Sequence, residues 1–375
     1  MEKWIKQAFE KSMEKYAATI KTAAEQGIIP YSGLKDKWQG SPQERNTWWT
    51  GGFWPALMWQ FYNFSKDETF LKEARRVQDI LHHELLYAYE GLHHDVGFMF
   101  KLSFGAENQL FPSNELEKTI LRCADLLAGR FNPLGFIKAW NGEDKCGWAI
   151  VDCMMNLPLL YWASAHSGDP RYKKIADIHA HFTMENFIRP DGSSNHIVIS
   201  DPETGEILKK PGGQGYAEGS SWSRGQSWAL HGFVLAYINT KNPEYLDTAK
   251  RIAHYFIANI REDGLVDCDF RQPKTEERLD NIGGACAASG LLLLETLVPE
   301  LEKPMYRDAA VKMLRAMDEK CADYSMDTYG VLQKCTAAYH DDGAGRHINI
   351  VYGDYFYLEA LYRLMGGELM LWGLE

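Results

Sequence analysis

No run in this sequence is long and apolar enough to span a bilayer, and no dense patch of lysine and arginine interrupts its acidic balance, a formal net charge of -11. Those two absences argue against a membrane span and make nucleic acid and anionic membranes poor partners. Cysteine is sparse too. Seven are present, an odd number, and no two form a C-x-x-C pair. A disulfide framework and a zinc knuckle are therefore not expected, and a reducing compartment is. The first residues, "MEKWIKQAFEKSMEKYAATIKTAA", have helical period and alternating charge but no apolar core of a signal peptide. The expectation is a cytoplasmic protein.

What the chain has is apolar and aromatic mass. Of 375 residues, 45% are hydrophobic and 12 are tryptophan. That is enough for a thick core, or for a core plus a surface that stacks on sugar-like ligands. An internal phrase recurs: "KDETFLKEA" (66–74), "GDPRYKKIA" (168–176), "KNPEYLDTA" (241–249) and "KPMYRDAA" (303–310). A polar or proline-bearing turn leads to an aromatic residue with alanine four positions later, on one helical face. Each copy follows a strongly apolar segment, so the unit is an apolar helix, a short turn and an amphipathic helix.

Two further units lack the phrase, one at 95–107 with "SNELEKTILRCADLLAG", the other "GDYFYLEALYRLM" with the N-terminal helix. The pattern predicts apolar helices starting near residues 50, 95, 152, 224, 282 and 353. Amphipathic helices are predicted near 3, 68, 115, 171, 244 and 305. A helix apolar on most sides must be covered on most sides, whereas one with a charged face lies outside. Six of each, alternating, predict an all-α fold, a closed (α/α)6 barrel forming a single domain over 1–375. Six near-equal units with a terminal helix to pair favour closure over an open solenoid. Pro55 and Pro158 fall inside predicted inner helices, where kinks or later starts are expected. "DGSSNHIVISDPETGEILKK" reads as a β-hairpin.

All inner helices then run the same way, and the loops entering them gather at one rim, where long loops build binding sites. Asp95, in "GLHHDVGFMFKLSFG", and Asp152, in "WAIVDCMMNLPLLYWAS", stand at the starts of consecutive inner helices. Either alone reads first as a helix N-cap. Together at one funnel they repel, so one can hold a proton while the other stays ionised, which suits acid/base work on a glycosidic or enol-ether bond. The same rim carries Trp49, Trp140, His196, Gln214, Trp222, Arg224 and Trp228. Trp faces stack on sugar rings, and an Arg beside a helix start suits a carboxylate. Core packing is an equal reading for each Trp, for Trp54 and Trp228 above all. His93-His94 suggests a metal, but no third ligand follows at helical spacing, so none is expected. The Gly-rich patches lack a preceding strand, which weakens phosphate binding.

"NTWWTGGFW", "HHDVGFMF", "IVDCMMNLPLLYWA", "SWSRGQSWALHGF" and "YGDYFYLEALYRL" together resemble glycoside hydrolase family 88, the unsaturated glucuronyl hydrolases. The likeness runs in register from about Thr47 to the last helix. It implies an (α/α)6 barrel and a cytoplasmic enzyme, without metal or organic cofactor. The implied substrate is an unsaturated uronyl oligosaccharide released by a lyase, from whose non-reducing end the 4,5-unsaturated uronic acid is cleaved. By resemblance Asp152 is the general acid/base and Asp95 the second essential carboxylate. Trp49, His94, Trp140, His196, Gln214, Trp222, Arg224 and Trp228 fall on positions that line the sugar site. The implied chemistry is vinyl-ether hydration, with a proton to C4 and water to C5. The chain departs from the family at Gly51, where some members carry an acidic residue. It also lacks the basic and Ser/Lys pattern of members that prefer sulfated disaccharides, for which Arg346, His347, Asn349, Lys209 and Lys210 are candidate substitutes. Alternatives are an unsaturated rhamnogalacturonyl hydrolase, a sugar 2-epimerase-like isomerase using His94 and His196, and a non-catalytic oligosaccharide-binding protein. A monomer or weak homo-oligomer is expected.

Overall fold

The computed structural model describes residues 2–275, 277–367, 369 and 371–373. Among them are twelve α-helices in two alternating sets. The outer set is α1 (Lys3–Gln26), α3 (Glu68–Tyr87), α5 (Asn114–Ala128), α7 (Pro170–Asn186), α9 (Pro243–Ala258) and α11 (Lys303–Lys320). The inner set is α2 (Phe53–Ser65), α4 (Phe104–Leu110), α6 (Leu157–Ser167), α8 (Ser223–Thr240), α10 (Asn281–Glu295) and α12 (Val351–Leu364). Burial separates the sets as the composition predicts. Every residue from Asn281 to Leu294 of α10 is buried, whereas α9 buries one stripe. The ring closes, because α12 packs on both α10 and α2, and α1 lies against α12 and α3. This is the expected (α/α)6 barrel.

The recurring phrase has a physical explanation. Inner helices α2, α6 and α8 end on a left-handed residue, Lys66, Gly168 and Lys241. The next residue, Asp67, Asp169 or Asn242, caps the outer helix by accepting a backbone N–H. The chain thus reverses in two residues, and capping by Asp or Asn contributes about 1 kcal/mol at each turn. The aromatic–alanine pairs Phe70/Ala74, Tyr172/Ala176, Tyr245/Ala249 and Tyr306/Ala310 are all buried.

Two expectations about the inner helices need refinement. Pro158 is the second residue of α6, which starts only after a 3-10 turn over Val151–Met155, so the later start is realised. Pro55 sits in the first turn of α2, where no intrahelical bond is lost and no kink is needed. The predicted helix over 95–107 is instead broken into a π-helical turn, Gly97–Lys101, and α4. The cause is a side chain. Asn156 Oδ1 accepts the Phe98 N–H at 2.7 Å, a group that a regular helix would spend on its own ladder.

The predicted hairpin forms between Ile197–Ser200 and Ile207–Lys209. Asp201 closes its turn by accepting from the Glu203 and Thr204 N–H groups. A strand that was not expected, Trp148–Ile150, joins the other edge of Ile197–Ser200, with Ile150 opposite Ile197. This three-stranded sheet sits at the rim and carries the chain directly into the Asp152 turn.

Candidate active site

A cavity of about 630 Å³ opens at the rim. Asp95, Asp152, His93, His94, Trp49, Trp140 and Gln214 line it, with Tyr31 and Tyr352. Neither aspartate caps a helix through its side chain. The commoner role for such residues is therefore removed for both, although each carboxylate is nearly buried.

The rim sheet brings Asp152 and His196 together. Ile150 pairs with Ile197, and the Val151 N–H donates to the His196 carbonyl at 3.1 Å. Two residues beyond one strand and one before the other, Asp152 Oδ1 and His196 Nε2 lie 3.4 Å apart. The tautomer follows from the other ring nitrogen. His196 Nδ1 accepts the Gln214 backbone N–H at 3.0 Å, closer than the Gly212 carbonyl at 3.3 Å. The ring proton therefore resides on Nε2 and points at Asp152. Trp222 packs against the ring at a tilt of 46°, with centroids 4.3 Å apart. Gly213 makes the seat possible: its φ is +60°, and a Cβ there would lie 2.1 Å from His196 Nδ1. Gly213→Ala should displace His196 and lower kcat more than it raises KM, checked by steady-state kinetics beside a melting curve.

Asp95 is held differently. Its Oδ1 lies 3.2 Å from His94 Nε2 and accepts from Asn156 Nδ2 at 3.1 Å, and its Oδ2 lies 3.2 Å from His93 Nδ1. Burial pushes this carboxyl up, but the His94 charge, then His93 and Asn156, outweigh it and leave it below the usual carboxylate range. Burial also pushes the His94 imidazole down, against the pull of Asp95. His94 Nδ1 lies 2.7 Å from the Ala139 carbonyl, which can only accept. Its Nε2 thus presents a lone pair to Asp95 unless a proton lies between them. We place that proton on His94 Nε2 and leave Asp95 ionised, since Asp95 has two further partners to hold its charge and the ion pair offsets the burial of the imidazole.

Other expected contacts fall elsewhere. Trp228 is fully buried, its ring centroid 5.3 Å from Phe98 and 5.4 Å from Phe356, and does not line the cavity. The large aromatic is needed to fill the barrel axis. Trp54 is likewise core, donating to Glu73 Oε1 at 2.8 Å. Arg224 is fully buried behind the cavity wall. Its guanidinium pairs with Asp280, donates to the Thr336 and Ala337 carbonyls and lies 4.3 Å from the Trp222 ring centroid. A buried cation needs such compensation, and this one finds it within the protein rather than facing the cavity.

None of the candidate sulfate-binding residues lines the cavity. Arg346 pairs with Asp342 at 3.1 Å, His347 Nε2 accepts the Leu279 N–H, and Asn349 donates to Asp354. Lys210 donates to the Asn186 carbonyl, and Lys209 lies on the hairpin. The sole Lys or Arg among the described residues lining the cavity is Arg45, which sequence reasoning passed over. Asn156 was passed over too, and His93 was weighed only as a metal ligand. Asn156 stands four residues after Asp152, one helical turn, which was the available signal. At Gly51 a Cβ would come within 3.1 Å of Leu81 Cδ2, so a larger residue here would require Leu81 to shift by a few tenths of an ångström. His93, His94 and Asp95 bring one ligand atom each within 4.8 Å of one another, and no fourth His, Cys or carboxylate joins them among the described residues.

The model of the family described as Glycosyl Hydrolase Family 88 matches residues 12–359. The chain is 35% identical over 337 residues to an unsaturated glucuronyl hydrolase of Bacillus sp. (strain GL1), covering 87% of this chain and 89% of that one. It is 33% identical over 335 residues to an unsaturated chondroitin disaccharide hydrolase of Streptococcus pneumoniae, covering 87% and 84%. The crystal structure of the Bacillus unsaturated glucuronyl hydrolase, responsible for the degradation of glycosaminoglycan, superposes with a TM-score of 0.90. The two structures share 32% identity over 98% of each chain.

Proposed function

As the chain belongs to glycosyl hydrolase family 88 and is a glycoside hydrolase, we propose that it removes the 4,5-unsaturated uronic acid from the non-reducing end of lyase-generated oligosaccharides, chiefly of glycosaminoglycan type. The observation that carries this reading is the pair of near-buried, non-capping aspartates on one cavity, held in opposite ways. Histidines and an amide clamp Asp95, and a single imidazole N–H faces Asp152.

Asp152 delivers its proton to C4 of the ring double bond. Positive charge then develops at C5 and the ring oxygen, and the ionised Asp95 stabilises it. Water adds at C5 and returns a proton to the Asp152 carboxylate, which the His196 N–H steadies between the two steps. The hemiketal opens by breaking the bond from C5 to the ring oxygen, leaving a ketone. C1, now a hemiacetal, expels the aglycone as an alcohol. Trp49, Trp140 and Tyr352 supply faces for the sugar, and Gln214 an amide. These steps need no metal or organic cofactor.

Lyase digests of hyaluronan, chondroitin sulfates, heparin and gellan provide the test. The enzyme should abolish the enoate absorbance of at least one. Consumption with the absorbance intact would make the protein an isomerase, and binding without turnover a lectin-like module.

Arg45 is the exposed cation at the mouth and lines an adjoining cavity of about 400 Å³ as well. Arg45→Ala should raise KM for anionic disaccharides by about 3–10-fold with kcat little changed, and the difference should shrink as salt screens the charge. Kinetics at low and high ionic strength on sulfated and unsulfated substrates check this. The continuous apolar core from Ile5 to Trp372 supports residues 1–375 as one catalytic domain. Among the described residues, no helix is long and apolar enough to cross a membrane. Six of seven cysteines are buried and all are unpaired, which supports a cytoplasmic setting. The enzyme acts as a monomer or weak homo-oligomer.

A further inference from the structure

Every polar function of one buried amide is spent within the catalytic frame. Asn156 is wholly buried at the junction of the 3-10 turn and α6. Its Nδ2 donates to Asp95 Oδ1 at 3.1 Å and reaches the Asp152 backbone carbonyl at 3.4 Å. Its Oδ1 accepts the Phe98 N–H at 2.7 Å, opening the π turn that follows Asp95. The two segments meet so closely that a Cβ on Gly97 would lie 2.6 Å from Asn156 Oδ1 and 2.7 Å from its Cα. A regular helix over 95–107 would have been the default for so apolar a segment. The chain gives up that regularity where a single amide can join the segment carrying Asp95 to the turn carrying Asp152.

We propose that Asn156 is the positioning residue of the active site, fixing the carboxylate of Asp95 relative to the backbone of Asp152. This rests on the chemistry assigned above to those two aspartates. Asn156 does not face the cavity and touches no substrate. It acts by orientation, and by the hydrogen bond that favours the ionised form of Asp95. Around Asp95 the titratable and charged groups are His93 and His94 on its own segment, Asp152 and Cys153 on the 3-10 turn, and Arg130 after α5.

The test is Asn156→Asp, beside Asn156→Leu and wild type, on one unsaturated disaccharide across pH, with melting curves. The Asp variant keeps the shape and the acceptor for Phe98 N–H but sets a second carboxyl against Asp95 in place of the amide donor. It should fold with a lowered melting temperature, because a second carboxyl is buried beside Asp95, lose about 10–100-fold in kcat and hold KM within about threefold. Activity requires ionised Asp95 and is lost as pH falls through its pKa. Loss of the donor raises that pKa, so the acid limb should move to higher pH. The Leu variant should show the same displacement if it folds. A folded Asp variant with wild-type kcat and an unmoved acid limb would overturn the proposal. Collapse of the fold in both variants would overturn it as well, since Asn156 would then be a structural link only. Absence of turnover by wild type would instead refute the proposed reaction.

Discussion

Asp152→Asn should yield a folded barrel with almost no activity. The side chain caps no helix and its Oδ1 has no hydrogen-bond partner beyond the nearby His196 ring. Asparagine has the same shape, so helicity and melting should hold near wild type. An amide cannot deliver a proton to carbon, and the rate should fall by roughly 10²–10⁴-fold or more. Asp95→Asn should also be severely impaired, for a different reason. It removes the negative charge beside the developing cation and leaves His93, His94 and Asn156 arranged around a neutral group. Both variants are read by following loss of enoate absorbance on an unsaturated disaccharide. Near-normal turnover by Asp152→Asn would remove Asp152 from the chemistry.

Arg224→Ala should be a folding defect before it is a kinetic one. Arg224 and Asp280 are both fully buried and paired. Asp280 also caps α10 through the Ile282 N–H, and Arg224 ties the Thr336 and Ala337 carbonyls to α8. Removing the cation strands a buried carboxylate, at a cost of about 3–5 kcal/mol. Urea denaturation should show that loss. The double variant Arg224→Met with Asp280→Asn removes both charges, keeps a capping side chain and should recover part of it. If Arg224→Ala were as stable as wild type and changed KM alone, Arg224 would be a ligand contact after all, as the family likeness implies.

The barrel was legible because its determinants are local. The pairs Phe70/Ala74 and Tyr245/Ala249 declare an outer face within five residues, and the Asp or Asn before them declares the cap. Asp95 and Asp152 were legible as a pair because the alternation of inner and outer helices sends both to one rim. What was hidden depends on distant partners. The helix after Asp95 breaks because Asn156, on another inner segment, captures its backbone. The strand Trp148–Ile150 has three residues and exists because Ile197–Ser200 offers an edge. A long cation at the start of an apolar helix reads equally as a carboxylate clamp or as half of a buried pair. Only the fold reveals that Asp280, 56 residues on, takes the second part. Trp228 posed the same ambiguity, and packing on the barrel axis decided it for the core.

The most direct test of the hydration chemistry is a matched pair of disaccharides, one with the 4,5-unsaturated uronic acid and one with its saturated counterpart, offered to the wild-type enzyme under identical conditions. The account predicts rapid release of the aglycone with loss of enoate absorbance from the first, and no detectable cleavage of the second, because without a double bond Asp152 has no carbon to protonate. Cleavage of the saturated disaccharide at a comparable rate would contradict it, and would make the two aspartates the acid and base of an ordinary glycosidase.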